Sequence, residues 1–450
     1  MNYSPFDRGI FDISGPDLTV LREVSEGWYV EYKSQRIAVK ALGKSLSAFA
    51  NQYGGWLFIG VKEKDGVACD FPGIQNGETL RIEEDLRNAS ATCITPNVYY
   101  EHRIISGPVK PIDLPEGRSV VVVRIPPGAE SPYVHNDGKI YRRVADSSNP
   151  KPETDRSALD SLWRRSRRAK DKVHHLTAVW PNISKAETDV RYLHTFISAD
   201  PFEIAKKNYY MHFSRFEARM REDPISFDNC FSCNGGYIAR QTKGNDPQYR
   251  VFTWEYQYRG HSRITLPLTS FPASRSEMLR GYRHADRFIQ KCNMESIGPT
   301  NSYRVLDLNE TLYAIMAIIR RYRVLLSDFG EHGPFYLKFK LENIWRCTPY
   351  YDTDAFIDFI SRCGIPVAQD TDVLIPDGDE LESFISLPRI DKESLQDNAV
   401  LVSDASRPLD AICSALGIPT EVTVKSASEL LDPNMKEKID NVKILRRHYQ

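Results

Sequence analysis

EGWYVEYKSQRIAVKALGKSLSAFANQYGGWLFIGVKEKDG, residues 26–66, contains three structural units in succession. Trp28-Tyr29-Val30-Glu31-Tyr32-Lys33 alternates, with Trp28, Val30 and Tyr32 on one side and Tyr29, Glu31 and Lys33 on the other. That predicts a half-buried strand with a carboxylate and an ammonium on its wetter face. Val39, Leu42, Leu46 and Phe49 then recur at helical spacing, with Lys40, Lys44 and Ser47 between them, predicting an amphipathic helix that ends near Asn51. Gly54-Gly55 suits a left-handed exit or a tight turn. Trp56-Leu57-Phe58-Ile59-Gly60-Val61 is a continuous apolar run bounded by charge, which predicts a central strand buried on both faces.

Outward from this stretch, residues 1–20 read as an arm with a small apolar patch at Leu18, Val20 and Leu21. Asp65-Gly66 is a hairpin signal. A second helix is expected over Leu80–Ala89, with Glu83, Glu84 and Asp85 as its solvated face, and strands over Val98–Ile105 and Val120–Ile125. Lys139–Val144 predicts a short strand in which Tyr141 and Arg143 face opposite to Ile140 and Arg142, so one arginine can reach solvent or an anion. From an N-cap at Thr154 a helix runs to about Asp171, its C-terminal end crowded by Arg164, Arg165, Arg167, Arg168, Lys170 and Lys172. Cations there complement the helix dipole and form the densest candidate phosphate contact in the chain.

With 450 residues, two or three domains are expected. A 41% hydrophobic and 26% charged composition is that of a globular protein, and a formal net charge of -1 leaves nucleic-acid contacts to local patches. No apolar run approaches the roughly 20 residues of a membrane span, and Met1–Ile10 lacks a signal-peptide core. Eight scattered cysteines fit reduced thiols in the cytoplasm. His174–Asn182 reads as a boundary, with strands over Gly235–Leu268, helices over Ser274–Cys292, Leu308–Leu326 and Asp354–Ser361, and Leu312, Ile315, Ile318 and Ile319 as an apolar stripe. The expected fold is α+β. An N-terminal α/β domain with a mixed sheet covers 15–172, and α+β regions of unassigned role cover 180–300 and 301–450.

The acidic Glu26 before the strand, Glu31-Tyr32-Lys33, Ser47-Ala48-Phe49-Ala50-Asn51, Gly54-Gly55 and Ile59-Gly60-Val61, in that order, resemble the AlbA_2 domain of Schlafen-type proteins. Ser131-Pro132-Tyr133 and Tyr141-Arg142-Arg143 resemble its end, where a Tyr-x-Arg element lies next to the site. The resemblance implies a nucleic-acid-binding fold and, in its ribonuclease members, metal-dependent cleavage of structured RNA such as tRNA. It carries the acidic Mg²⁺ or Mn²⁺ ligands onto Glu26, Glu31 and Glu63, the last standing where the family has Asp, with Asp65 as a fallback. Such an ion polarises the phosphate and activates water. Family members often pair two lobes, so a homodimer is expected, and a role in cellular defence is compatible with either chemistry. The fold also occurs in proteins that only bind nucleic acid, so a non-catalytic DNA- or RNA-binding regulator is the rival expectation.

Geometry constrains this set. Five residues of straight strand span roughly 16 Å, so Glu26 and Glu31 share an ion only if Gly27 folds Glu26 back. Lys33 either pairs with Glu31 or touches the scissile phosphate, and the plain alternative is an exposed Glu31–Lys33 ion pair. Lys40, Lys44, Arg142, Arg143, Arg164, Arg165, Arg167 and Arg168 are the candidate backbone contacts, RNA being favoured over DNA. Ala38–Ser45 nearly matches a Walker A loop, but Ala38 replaces its first glycine and the segment lies in a helix, which forms no phosphate cradle. Cys230-Phe231-Ser232-Cys233 is a lone CxxC; structural Zn²⁺ at Cys230 and Cys233 lacks a second ligand pair, so buried thiols are expected instead.

Overall fold

The computed structural model describes residues 3–144, 147–180, 190–202, 207–222, 225–241, 251–272, 279, 281–295, 303–378 and 383–430. The chain divides into two units, Met1–Lys172 with Phe202–Lys206, and Val173–Pro201 with Lys207–Gln450.

In the first unit, β1 (Val30–Lys33), α1 (Val39–Asn51) and β2 (Gly55–Ile59) make a βαβ crossover with parallel strands, Val30 opposite Trp56 and Lys33 opposite Ile59. A hairpin of β3 (Lys62–Lys64) and β4 (Val67–Asp70) follows. Its turn residues Asp65 and Gly66 both have positive φ, 55° and 79°, as a primed turn requires. Then come β5 (Ile74–Gln75), α2 (Asn76–Cys93), β6 (Ile94–Thr95), β7 (Glu101–Ser106) and β8 (Arg118–Ile125). β8 is antiparallel to β2, β5 and β7 and holds the sheet together. β9 (Val134–His135) pairs with β6, and β10 (Tyr141–Val144) with β11 (Ser147–Pro152). α3 (Arg156–Thr177) starts just after Asp155, whose carboxylate accepts from the Ser157 N–H, and the unit boundary falls within it.

Both faces of the sheet are covered. Val30, Tyr32, Trp56, Phe58, Val120 and Val122 pack against Phe6, Ile10, Ile13, Leu18 and Leu21, so the N-terminal arm is a structural layer. Leu57, Ile59, Val121, Val123 and Ile125 pack against Leu42, Leu46 and Phe49 of α1 and Ile82, Leu86 and Ala89 of α2. This is why β2 reads as an unbroken apolar run. Gly54 (φ 74°) makes the left-handed exit from α1. At Gly55 a Cβ would stand 2.3 Å from the Phe49 ring and 2.7 Å from the Tyr29 carbonyl, so only glycine lets helix and strand approach. One predicted solvated face is corrected: Asp85 is buried and takes Arg36 Nε at 2.5 Å, because α2 turns it toward the α1 side of the unit.

The second unit contains β12 (Arg191–Ser198), α4 (Phe213–Arg221), β13 (Asn229–Cys233), β14 (Gly236–Arg240), β15 (Thr253–Gln257) and β16 (His261–Leu268). It continues through β17 (Ser270–Pro272), α5 (Ala285–Met294), β18 (Arg304–Asp307), α6 (Leu308–Ser327), β19 (Phe335–Glu342) and β20 (Cys347–Tyr350). α7 (Asp354–Cys363), β21 (Val373–Ile375), β22 (Ile385–Leu387), α8 (Asn398–Ala415) and α9 (Thr420–Leu430) complete it. The large sheet runs β13-β14-β15-β16-β12-β19-β21, with β22 also on β19. Strands from 191–268 and from 335–387 therefore share one sheet, which corrects the expected division at 300/301. β12, which begins soon after the expected boundary, lies inside the sheet between β16 and β19. The stripe of Leu312, Ile315, Ile318 and Ile319 is buried in α6, in one core with Trp254 and Tyr256. Residues 244–247 of the expected strands and 274–278 and 280 of the expected helix lie outside the described residues, while 281–284 are not helical and α5 starts only at Ala285, which corrects the helix's expected beginning.

The fold is α+β, as expected. No described helix is long and apolar enough to cross a membrane. All eight cysteines are free.

Asn51, buried at the end of α1, clamps the domain's last strands: its Nδ2 donates to the carbonyls of Tyr133 (2.8 Å) and Tyr141 (3.0 Å), and its Oδ1 accepts from Tyr133 N–H at 2.7 Å. Asn51→Ala should cost about 2 to 4 kcal/mol in urea unfolding, since it leaves buried backbone groups unpaired. Asn51→Asp should recover little of that loss, because a carboxylate has no N–H for the two carbonyls.

Candidate functional site

The bend that geometry demanded is present. Gly27 N–H donates to Val30 O at 3.0 Å, and the returning Glu26 carboxylate accepts from Tyr32 N–H at 2.8 Å. Arg143, from β10, holds the bend from beneath. Its Nε and Nη2 donate to Gly27 O at 2.9 and 2.6 Å, Nη2 also to Val30 O at 3.2 Å, and Nη1 to Glu31 Oε2 at 2.7 Å. The guanidinium also lies 4.7 Å from the centre of the Phe49 ring. Neither charge of this pair reaches water, with side-chain exposures of 0% for Arg143 and 2% for Glu31. Glu31 Oε1 receives Lys33 Nζ at 2.8 Å and the Ser45 hydroxyl at 3.0 Å. The face expected to be wet is therefore covered by α1, and Glu31 is a buried scaffold carboxylate.

Glu63 is exposed in β3, its Oε2 accepting from Gly66 N–H at 2.9 Å. Glu26 lies close enough to sense the other acids. Burial raises its carboxyl above the ordinary 4.5, the Tyr32 N–H and Lys33 pull it down, and Glu31 and Glu63 push it up again. Proximity alone does not make a metal site. Both Glu31 oxygens are engaged by Arg143, Lys33 and Ser45, so a divalent ion would have to displace Lys33 and sit beside a buried guanidinium, like charges at close range. Among the described residues no group of three His, Cys, Asp or Glu side chains is placed to hold a metal. The residues present do not fit Mg²⁺ or Mn²⁺ in this arrangement.

The predicted basic contacts separate into inward and outward groups. Arg143 is inward, as above. Arg165 is also inward: it donates to Ser131 Oγ (3.0 Å), Gln52 O (2.8 Å) and Ala50 O (2.9 Å), stapling α3 to the end of α1. Burial lowers the pKa of both guanidiniums. Arg142 is tied to Gln52 Oε1 at 2.7 Å and to Glu153 at 2.5 Å. Arg164, Arg167 and Arg168 are exposed on one face of α3, and Lys40 is exposed on α1. Arg165 shares the face of Leu162, three residues back, and donates to Ser131, whereas Arg164 lies about 100° round the helix.

Lys44 joins a cluster that sequence reasoning missed. Its Nζ lies 3.7 Å from Asp137 and 5.1 Å from the centre of the Tyr141 ring. Asp137 also takes the Tyr141 hydroxyl at 2.6 Å and His135 Nδ1 at 2.9 Å. Burial works the other way, but bonds from Tyr141 and His135 hold its carboxyl well below the usual carboxylate range. Ser45, Gln52 and Glu153 were missed too; only their closeness in sequence to Lys44, Asn51 and Thr154 gave any signal. In the second unit, Cys230 and Cys233 lie three apart on β13 and so on opposite faces, where they cannot share a zinc ion. Burial raises both thiols, Cys230 to about 11.

Residues 26–152 match the family described as Schlafen, AlbA_2. No curated protein matches the chain. Among solved structures, the DIP2311 protein from Corynebacterium diphtheriae, a Northeast Structural Genomics Consortium target, is similar at 16% identity with a TM-score of 0.20. The match covers 36% of this chain and 35% of that one, about a third of its length, and at that TM-score it carries nothing about fold or function.

Removing one member of the buried pair strands the other. Glu31→Gln or Arg143→Met should each cost about 3 to 5 kcal/mol in urea unfolding. Glu31→Gln combined with Arg143→Met should cost clearly less than the sum of the single changes. Additive losses would mean that the two charges do not depend on each other. Glu26 yields a pH dependence. Its raised folded pKa means that the stability it contributes is fully present below its unfolded value and is lost as pH rises through the raised value. Glu26→Gln removes that loss, so the variant should gain on the wild type as pH rises from about 4 and hold a constant lead above the transition. Urea midpoints across that range read it.

Proposed function

Taking residues 26–152 as a Schlafen AlbA_2 domain, we propose that the chain is a cytoplasmic protein that binds RNA in preference to DNA. The exposed cations of α3 hold backbone phosphates, and the buried acid holds the fold together. The domain points to a nucleic-acid-related function. The single observation that carries the non-catalytic reading is Glu31, 2% exposed with both oxygens engaged. Such a carboxylate orients Arg143 and Lys33 and has no lone pair turned to a solvent-borne ion. Arg164, Arg167 and Arg168 lie exposed on one helix face, where the cost of taking phosphates out of water is small and counterion release drives binding. The C-terminal unit then serves as a sensor or dimerisation module. A homodimer would bring two AlbA_2 lobes to one nucleic acid.

A second reading is metal-dependent endonucleolytic cleavage of structured RNA such as tRNA, with Glu26, Glu31 and Glu63 as the acidic set. It draws on one observation, that the half-exposed Glu26 carboxyl senses both of the others. Incubation of the full chain with total RNA and Mn²⁺, beside Glu26→Gln, separates the two. RNA bound equally by both proteins and left intact supports the binding module. Fragments that need Mn²⁺ and vanish in the variant would replace it with the nuclease.

The basic face predicts a salt signature. Arg164→Ala, Arg167→Ala and Arg168→Ala together should flatten the plot of log affinity against log salt by about 2 to 3 units for duplex and about 2 for single strands. An unchanged slope would remove α3 from the interface.

A further inference from the structure

The first unit leaves a series of aromatic rings at its surface. Tyr3 stacks on Tyr29 with centroids 4.9 Å apart and planes at 23°. Tyr29 meets Tyr53 at 6.1 Å and 37°, and Tyr53 meets Trp28 at 5.7 Å and 31°. Tyr53 is 50% exposed and Tyr3 38%, while Trp28 and Tyr29 are half-buried. Core rings in this unit are enclosed, whereas these four stay at least partly open to water. The other large side chains that the unit exposes are also mostly aromatic, namely Phe11, Tyr99 and Trp163, with Leu80 the lone aliphatic among the described residues.

The rings are set on rigid supports, and those supports are cationic. Trp28 and Tyr29 directly follow Gly27, whose carbonyl Arg143 grips, and Tyr29 O accepts from Trp56 N–H at 2.7 Å. Tyr53 directly follows Gln52, which takes Arg165 on its backbone carbonyl and Arg142 on its side-chain oxygen. From Arg165 the helix α3 presents Arg164 and Arg168 to solvent. Neighbouring rings inclined at 23° to 37°, beside arginines, suit a flexible polyanion with a flat π-face on each unit. A double helix has its bases already stacked and offers no such face.

We propose that the series Tyr3, Tyr29, Tyr53 and Trp28 is a stacking platform for unpaired bases, so that the ligand of this domain is single-stranded nucleic acid. This rests on the nucleic-acid reading above and names its substrate class. The full chain is titrated against fluorescein-labelled oligouridine of about 20 nucleotides, and against a blunt RNA duplex of equal length, by fluorescence anisotropy. Tyr53→Ala should weaken oligouridine binding roughly 5- to 100-fold, the range found for single base–ring stacks, and change duplex binding by less than about twofold. Tyr53→Phe keeps the ring and should bind as the wild type does. Tyr53→Leu keeps apolar bulk without a π-face and should fail as Ala does. Melting temperatures near the wild-type value confirm that this half-exposed position leaves the fold intact. Oligouridine affinity untouched by Tyr53→Ala, or restored by Leu, would overturn the platform while leaving nucleic-acid binding in place. Wild-type protein that binds neither probe would overturn both.

Discussion

A carboxylate and a guanidinium, both shut off from water, set the conditions for the rest of the N-terminal unit. Glu31 and Arg143 stand 112 residues apart in sequence and meet at 2.7 Å. Two charges so deeply buried are stable only when every lone pair and N–H nearby is used. That demand recruits Ser45 from α1, Lys33 from β1 and the Gly27 and Val30 carbonyls from the bend. One contact thereby ties the entry to β1, the helix that crosses over it and the terminal strand pair. It also occupies the acid itself, since Glu31 already grips two cations from the protein.

The same economy governs the arginines. Arg142 and Arg143 are adjacent, as are Arg164 and Arg165, and in each pair one member is an inward anchor, Arg143 fully buried and Arg165 partly so. Strand parity separates the first pair and the helical period the second. The partners Arg164 and Arg168 reach solvent from a helix that Arg165 holds in place through Ser131 and the Gln52 and Ala50 carbonyls. Exposed cations on a fixed helix lose less on engaging a phosphate than cations on a mobile loop. Neighbouring arginines thus differ in whether they brace the fold from within or lie nearer its surface.

The βαβ core was legible because its signals are local: Val39, Leu42, Leu46 and Phe49 keep helical spacing, and β2 carries no polar residue to contradict a doubly covered strand. The Asp65-Gly66 turn was equally plain. Which face of β1 would be wet was not legible. Alternation shows that two faces differ, yet Glu31 and Lys33 look solvated until Ser45 and Arg143 are known to cover them. The same holds for Asp85, whose partner Arg36 is 49 residues away. Arg143 and Arg165 read as phosphate contacts because nothing in the run of basic residues distinguishes an anchor from a free cation. The near-Walker segment, by contrast, was correctly placed in a helix from its periodicity alone.

In the C-terminal unit the central strand β12 lies between β16 and β19, which are separated in sequence by residues 269–334. A strand so placed has no finished neighbourhood while the chain is still emerging from the ribosome. The N-terminal sheet has all of its strands once β8 has been made, whereas the larger sheet waits until β19, and for its last partner β22, have been synthesised. Such non-local closure is slow and leaves strand edges open in the interval. During synthesis the N-terminal unit can therefore fold first, with an unfinished sheet trailing behind it as the segment most in need of a chaperone.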